Sequence, residues 1–255
     1  MLHSIARGGA SPQSVPDRSS GLVDNHGRRI NYLRVAITDR CNLRCRYCRP
    51  EKGVPFIPHQ EILTFEELER LVAIFSGLGI NKVRVTGGEP FSRKGCISFF
   101  SRLKQIEGVE HLHITTNGVK TARFLDELAG IGLDGINLSL DTLDQKRFWK
   151  ITRRDYLSSV LKTLHGVLDR GIPLKINSVV LKDTSDEEMM RLAGLTQKAA
   201  ISLRFIERMP FSGTQRAEKI ENGRPHRSHH GRVIFSIDRQ QSLHSGSRRP
   251  GPSAA

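Results

Sequence analysis

The stretch Cys41-Asn42-Leu43-Arg44-Cys45-Arg46-Tyr47-Cys48 places three cysteines in C-x3-C-x2-C spacing, directly after the apolar run 33–38. Three thiols this close cannot all pair as disulfides, but their short loop can wrap one compact metal centre. Thiolates favour zinc or iron–sulfur clusters, and a closed zinc site needs a fourth Cys or His, which does not lie nearby in sequence. The spacing therefore favours an iron–sulfur cluster with one iron open to an external ligand. A zinc site completed by a distant histidine and incidental thiols are the alternatives.

The composition is that of a globular protein of 255 residues with four cysteines, three of them clustered. So few cysteines argue against a disulfide-built secreted scaffold and indicate a reducing compartment. No apolar run approaches the roughly 20 residues of a membrane span, so no membrane association is expected. We expect a cytoplasmic protein, with the mitochondrial matrix as the alternative because residues 1–21 are rich in Arg and Ser.

The formal charge of +14 suggests an anionic partner. From Arg216 onward the chain contains eight Lys and Arg but only three Asp and Glu, so the tail contributes much of this positive charge. No basic patch interleaved with aromatic residues is present, and nucleic acid is therefore not expected as a partner. Three segments are predicted: a disordered leader at 1–21, a core barrel at 22–213 and a basic low-complexity tail at 214–255.

Short apolar runs alternate with helical patterns along the core, which predicts an α/β fold with parallel strands. Thr64 and Glu67 form the capping-box pattern of a helix start. Six such units suit a barrel or partial barrel, and a doubly wound open sheet is the alternative. The predicted strands are 33–38, 82–86, 111–115, 135–140, 174–180 and 201–206. The predicted helices are 65–78, 96–106, 122–129, 157–170 and 186–198.

Polar and glycine-rich loops follow these strands, where ligands bind in both architectures. The adjacent Gly87 and Gly88 allow close approach of a backbone to a ligand, with a tight turn as the alternative. Four predicted strands carry a cation where apolar residues are usual, which favours a cavity lined for an anion such as a phosphate chain. These cations are Arg34, Arg84, Lys175 and Arg204.

With these motifs in place, the chain resembles the radical S-adenosylmethionine superfamily and, within it, the GTP 3′,8-cyclase family of molybdenum-cofactor synthesis. The resemblance runs from about residue 22 to 213. It rests on Leu33-Arg34, Thr38-Asp39-Arg40-Cys41, Arg84-Val85-Thr86-Gly87-Gly88-Glu89-Pro90, Thr115-Thr116-Asn117-Gly118, Asn137-Leu138-Ser139-Leu140-Asp141, Lys175-Ile176-Asn177 and Arg204-Phe205-Ile206-Glu207-Arg208-Met209-Pro210. It implies a partial (β/α)6 barrel like that of triosephosphate isomerase.

The resemblance also implies the chemistry: a 4Fe–4S cluster and S-adenosylmethionine generate a 5′-deoxyadenosyl radical that cyclises GTP to (8S)-3′,8-cyclo-7,8-dihydroguanosine 5′-triphosphate. An electron donor is implied as partner, and a homodimer is left open. The implied cluster ligands are Cys41, Cys45 and Cys48. The implied S-adenosylmethionine contacts are Tyr47, Gly88, Ser139 and Met209. The implied GTP contacts are Arg34, Arg84, Thr115 and Lys175, with Arg204 a further phosphate ligand.

Two departures from the family pattern stand out. Cys48-Arg49-Pro50 replaces the usual Cys-Met-Pro, and no cysteine follows Cys96, although the family carries three more for a second cluster at the guanine. The composition also changes abruptly near residue 214, which predicts a truncated or frameshifted chain. Such a product would cleave S-adenosylmethionine without completing cyclisation.

Other interpretations stay open at this point. A radical S-adenosylmethionine enzyme acting on another substrate, such as a peptide, is one, and a zinc-binding scaffold or nucleic-acid module is another. The tail histidines His226, His229 and His230 form a metal-binding tract or part of a disordered tail. Cys96 is expected to be a core thiol.

Overall fold

The computed structural model describes residues 21–48, 53 and 55–208, together with the backbone of a strand at 233–238. Within these residues, strands and helices alternate along the chain. The strands are β1 Tyr32–Ala36, β2 Lys82–Thr86, β3 His111–Thr116, β4 Gly135–Ser139, β5 Leu174–Val180, β6 Ile201–Glu207 and β7 Val233–Asp238. The helices are α1 Phe65–Gly77, α2 Cys96–Lys104, α3 Leu125–Ile131, α4 Gln145–Thr152, α5 Leu157–Asp169 and α6 Asp186–Lys198.

One sheet contains all seven described strands in the order of the sequence. Strands β1 to β6 are parallel, and β7 pairs antiparallel to β6. A doubly wound sheet needs a point where the strand order reverses, and β1 to β6 run in order without one. The predicted partial barrel is therefore confirmed, and the doubly wound alternative is wrong.

The two faces of the sheet differ in chemistry. Alternate side chains of each parallel strand, such as Val83 and Val85 of β2, are fully buried in one apolar core with the helices. The opposite face carries most of the polar strand residues, which point toward the barrel interior. Because strand side chains alternate between faces, the apolar core fixes which residues line the interior.

The helix starts follow local capping rules. The predicted capping box at Thr64 and Glu67 is present, and Ser185 and Glu188 form a second one at α6. Asp144 caps α4 by accepting a hydrogen bond from the Arg147 backbone N–H. These caps satisfy backbone donors that the first turn of a helix leaves unpaired.

Two elements differ from the prediction. Helix α4 lies in a segment for which no element was predicted, and β7 lies in the segment predicted to be a low-complexity tail. The predicted leader lies outside the described residues except for Gly21, as do the tail histidines and the Arg49-Pro50 departure. Among the described helices, none is long and apolar enough to cross a lipid bilayer.

Candidate metal centre and anion site

The three clustered cysteines lie in the loop that follows β1. Cys41 and Cys45 are half-buried, whereas Cys48 is exposed and its backbone N–H donates to the Cys45 carbonyl at 3.0 Å. The buried side chain of Leu43 anchors the loop in the core, and its N–H donates to the Cys41 sulfur at 3.4 Å. The loop is therefore a short turn that Leu43 anchors in the core.

The thiols lie close enough to repel one another when ionised. Burial raises the pKa of the Cys45 thiol, and repulsion from Asp141, Cys41 and Cys48 raises it further. Burial also raises the pKa of Cys41. A soft cation or cluster would relieve this repulsion, because the thiolate is the form that binds metals. Among the described residues, no group of three Cys, His, Asp or Glu is arranged to hold a single metal ion.

Helix α4 supports the cysteine loop from outside. The backbone N–H groups of Arg44 and Arg46 donate to the carbonyls of Thr152 and Ile151, at 3.0 and 2.9 Å. Arg153, which ends the helix at a positive φ of 55°, donates to the Arg44 carbonyl at 3.1 Å. The orphan carbonyls at the end of α4 thus bind the loop that carries the thiols.

A second anchor joins the loop to the segment between β5 and α6. Asp183 accepts from Arg46 of the loop and, at 2.9 Å, from Arg147 of α4. The hydrogen bond from Arg147 holds the pKa of Asp183 well below its usual range. Arg147 also pairs with Glu188 at 2.9 Å, so α6 belongs to the same network.

The two glycines after β2 are needed for contact between chain segments. A Cβ on Gly88 would lie 2.7 Å from the Asp39 carbonyl oxygen and closer still to that of Arg40. A Cβ on Gly87 would collide with the Thr38 carbonyl. The tight-turn alternative therefore accounts for both glycines. Gly88 is nevertheless exposed, so its backbone also faces outward beside the cysteine loop.

Glu89 is the most deeply buried carboxylate of the site, with no exposed surface. It accepts hydrogen bonds from the Thr116 hydroxyl and the Asn117 N–H, both at 2.8 Å, and from the Phe91 N–H at 3.3 Å. Burial raises its pKa to about 7. Asn117 in turn donates to the Asn42 side chain at 2.9 Å and lies 3.6 Å from the Cys41 sulfur. Glu89 therefore connects the loop after β3 to the cysteine loop.

Tyr47 is held in place by a buried aspartate. Its hydroxyl donates to Asp141 at 2.9 Å, and the other oxygen of Asp141 accepts from the Val179 N–H at 2.8 Å. Burial raises the pKa of Asp141 to about 6. The pair thus connects the cysteine loop to the carboxyl ends of β4 and β5.

The predicted anion ligands lie on the interior face of the sheet. Arg34 and Arg84 are register partners on β1 and β2, and Arg204 lies on β6. Burial lowers the pKa of Arg84, and repulsion from Arg34 and Arg204 lowers it further. The charges of Arg34 and Arg204 therefore both act on Arg84. Arg34 is exposed, as expected for an edge strand.

Two further interior residues were not predicted from the sequence. The ring of Tyr32 lies 5.2 Å from the Arg84 guanidinium carbon. Asn177 lies between Ser139 and Arg204 in register. Three buried atoms here have no hydrogen-bond partner: Tyr32 Oη, Arg84 Nε and Asn177 Oδ1. Leaving such atoms without a hydrogen bond costs stability unless a ligand supplies the missing partner. The sequence alone does not reveal these residues, because their position depends on the register of the strands.

The remaining predicted residues are also at the interior or the loop end. Thr115 and Lys175 lie in one register layer with Asn137 between them, and Ser139 follows at the end of β4. Cys96 is buried in the core, as predicted. Met209 lies outside the described residues.

Six parallel strands with a thiol loop after the first define an α/β protein of the partial-barrel class, with its site at the carboxyl ends of the strands. Within that class the match is specific, because a family model described as the radical SAM superfamily covers residues 35–196. The chain belongs to the radical SAM superfamily, whose members use an iron–sulfur cluster and S-adenosylmethionine.

Comparison with curated relatives shows which members of the superfamily the chain is similar to. The chain is 47% identical over 191 residues to the GTP 3′,8-cyclase of Heliobacterium modesticaldum. The aligned region covers 74% of this chain and 58% of that protein. It is 41% identical over 198 residues to molybdenum cofactor biosynthesis protein 1 of Homo sapiens, and the aligned region covers 77% of this chain and 31% of that protein. The chain thus spans only part of the length of these relatives.

Solved structures show the same fold at low sequence identity. SuiB of Streptococcus suis bound to S-adenosylmethionine superposes with a TM-score of 0.60 at 20% identity, covering 72% of this chain and 42% of that one. The protein anSMEcpe with bound AdoMet superposes with a TM-score of 0.56 at 18% identity, and the superposed region covers 72% of this chain and 54% of that one. These likenesses concern the fold alone.

Proposed function

We propose that the chain binds one 4Fe–4S cluster and S-adenosylmethionine and acts on GTP as a GTP 3′,8-cyclase. The observation that carries this proposal is that Arg34 and Arg84 are register partners on β1 and β2, and that the charges of Arg34 and Arg204 both act on Arg84. Similarity to GTP 3′,8-cyclases across three quarters of the chain supports the same substrate. A barrel acting on a peptide has less need for three convergent guanidinium groups.

Cys41, Cys45 and Cys48 would hold the cluster. The three thiols share one loop and repel one another when ionised. This fits a cluster better than mononuclear zinc, since each thiolate of a cluster binds a different iron. When bound, the cluster would supply the electron for reductive cleavage of S-adenosylmethionine, and the resulting 5′-deoxyadenosyl radical would abstract a hydrogen atom from the ribose.

The chain's own residues would position the two small molecules. Tyr47, fixed by Asp141, together with Gly88 and Ser139, would hold S-adenosylmethionine beside the cysteine loop. Met209 is proposed for the same role from the resemblance alone. Holding the ribose against the radical source is what makes the step fast and excludes competing hydrogen donors.

The interior cations would bind the triphosphate. Arg guanidinium groups suit phosphate because their donors form a planar fork. Thr115 and Lys175 would also bind GTP. In register they lie between Arg84, which is nearer the amino ends of the strands, and Arg204, which is nearer the loop end.

The test is anaerobic turnover of the reconstituted chain with dithionite, measuring 5′-deoxyadenosine with GTP, with ATP and without nucleotide. GTP should raise 5′-deoxyadenosine formation above both other conditions. Equal rates in all three would remove GTP as the substrate, and no 5′-deoxyadenosine at all would remove the radical reaction.

A second candidate is S-adenosylmethionine cleavage that is not coupled to cyclisation. It rests on the sequence, which contains no cysteine after Cys96 although the resemblance implies three more. The ratio of cyclised product to 5′-deoxyadenosine separates the candidates: near one supports coupled cyclisation, and near zero supports uncoupled cleavage.

A further inference from the structure

Helix α4, beside the cysteine loop, carries an exposed basic stripe with one aromatic residue. Lys146, Trp149, Lys150 and Arg153 recur at helical spacing on one face, and we call them the α4 stripe. Trp149 is 60% exposed, and Lys146 and Lys150 are exposed as well. The stripe contains three cations, of which Lys150 lies 3.6 Å from Asp183 and Arg153 is half-buried, so Lys146 and Trp149 are its most open members.

Trp149 is not part of the core, because the opposite face of α4 packs there instead. Phe148, Ile151 and Thr152 are buried, so the helix is already anchored without Trp149. Exposed tryptophan is enriched at binding sites, where it contributes large contact area. The stripe therefore has the composition of an interaction surface.

The stripe adjoins the proposed cluster through covalent and hydrogen-bonded links. The Ile151 carbonyl accepts from the N–H of Arg46, which neighbours Cys45. Arg153 donates to the Arg44 carbonyl at 3.1 Å, and Arg44 itself is exposed, so the basic surface continues onto the loop. Cys48 is the exposed cysteine of the same loop.

We propose that the α4 stripe is the docking surface for an acidic one-electron carrier protein that reduces the cluster. This rests on the proposed function, because only a bound cluster needs the electron. One electron leaves the reduced carrier and enters the cluster, so the carrier is oxidised by one electron and no atom is transferred. Charge complementarity favours an acidic partner, and steering by exposed charges suits a transient electron-transfer encounter.

The charge pattern favours a protein over nucleic acid. Single-stranded nucleic acid is bound by several aromatic platforms along a basic groove, whereas the stripe has one aromatic residue on a convex helix. Nucleic acid is therefore kept as an outcome of the test.

The first experiment measures binding, without turnover. The reconstituted chain is titrated with an oxidised acidic flavodoxin by calorimetry at low salt, comparing wild type with Lys146→Glu and Trp149→Ala. Each substitution should weaken binding about tenfold. Arg70→Glu on α1, an exposed cation far along the chain from the loop, serves as the charge control and should bind as wild type. Equal affinity in all four proteins would overturn the proposal.

The second experiment separates electron delivery from chemistry. With dithionite as reductant, Lys146→Glu and Trp149→Ala should form 5′-deoxyadenosine at the wild-type rate, whereas with reduced flavodoxin they should need about tenfold more carrier for half-maximal rate. Failure of wild type with dithionite would refute the proposed function, and the calorimetry would still decide the docking surface. A loss of single-stranded RNA binding with unchanged flavodoxin affinity would assign the stripe to nucleic acid and overturn the proposal.

Discussion

At the scale of single residues, the site contains buried polar groups that differ in how completely they are hydrogen-bonded. Glu89 accepts three hydrogen bonds in a fully buried position, and Arg84 has its Nε without a partner. Burial shifts the pKa of both side chains, and the sequence alone does not show which residues are buried.

Glu89 gives a pH-dependent prediction. Its folded pKa, about 7, is raised from 4.5, so its contribution to stability is present below pH 4.5 and is lost as pH rises toward 7. In Glu89→Gln this dependence disappears. Between pH 5 and 7.5 the unfolding free energy of wild type should fall relative to the variant by up to about 3 kcal/mol.

Urea unfolding of both apoproteins at the two pH values measures this difference. Comparison with the variant is needed because His113, whose pKa burial lowers to about 4, titrates in both proteins with the opposite sign. A constant difference between the two proteins would show that Glu89 does not titrate in this range.

Tyr32 gives a prediction about nucleotide affinity. Its ring lies 5.2 Å from the Arg84 guanidinium carbon, so it orients the cation by a cation–π contact. Tyr32→Leu should weaken GTP binding about fivefold by calorimetry. Tyr32→Phe, which keeps the ring and removes only the hydroxyl, should lose less GTP affinity than Tyr32→Leu. Equal losses in both variants would contradict a role for the ring.

At the scale of elements, the cysteine loop depends on its neighbours for its shape. Helix α4, the loop after β2 and the segment before α6 each contact it.

Asp183→Asn should loosen the cysteine loop. The carboxylate joins Arg46 of the loop to Arg147 of α4, and an amide cannot accept from both cations as strongly. We expect faster loss of iron to a chelator, measured by absorbance of the reconstituted protein. Asp126→Asn removes a comparable ion pair with Arg170 on the surface, away from the loop, and should leave the rate unchanged. If both variants lose iron at the wild-type rate, the anchor is not needed.

Gly88→Ala tests the contact between the β2 loop and the cysteine loop. The added Cβ would meet the backbone carbonyls of Asp39 and Arg40, which cannot move as a flexible side chain would. The variant should lose about 2 kcal/mol of unfolding free energy and retain less iron. Gly194→Ala in α6, where a Cβ meets nothing within 4 Å, should instead be stabilised by up to about 1 kcal/mol. Similar stability of the two variants would contradict the proposed contact.

The sequence predicted the elements best where periodicity was strong. The six parallel strands and five helices were predicted to within a few residues because apolar positions repeat with the period of each element. Helix α4 was missed because only two large apolar residues, Phe148 and Ile151, mark its inner face, although Asp144 supplied a cap signal. Strand β7 was missed because its short apolar run is surrounded by basic, low-complexity sequence.

At the scale of the whole molecule, consecutive parallel strands bring loops distant in sequence to one end of the barrel. The cysteine loop, Glu89, Asn117 and Asp141 follow four different strands and contact one another there. The position of these loops could be predicted from the fold class, but their hydrogen bonds could not, because they depend on side-chain packing across strands.

The central claim is that three cysteines hold one four-iron cluster. An anaerobic count of iron and sulfide per chain, on reconstituted wild type beside Cys45→Ala and Cys96→Ala, tests it most directly. We expect about four irons and four sulfides in wild type and Cys96→Ala, and a large loss in Cys45→Ala. Stoichiometric zinc, or iron unaffected by Cys45→Ala, would contradict it.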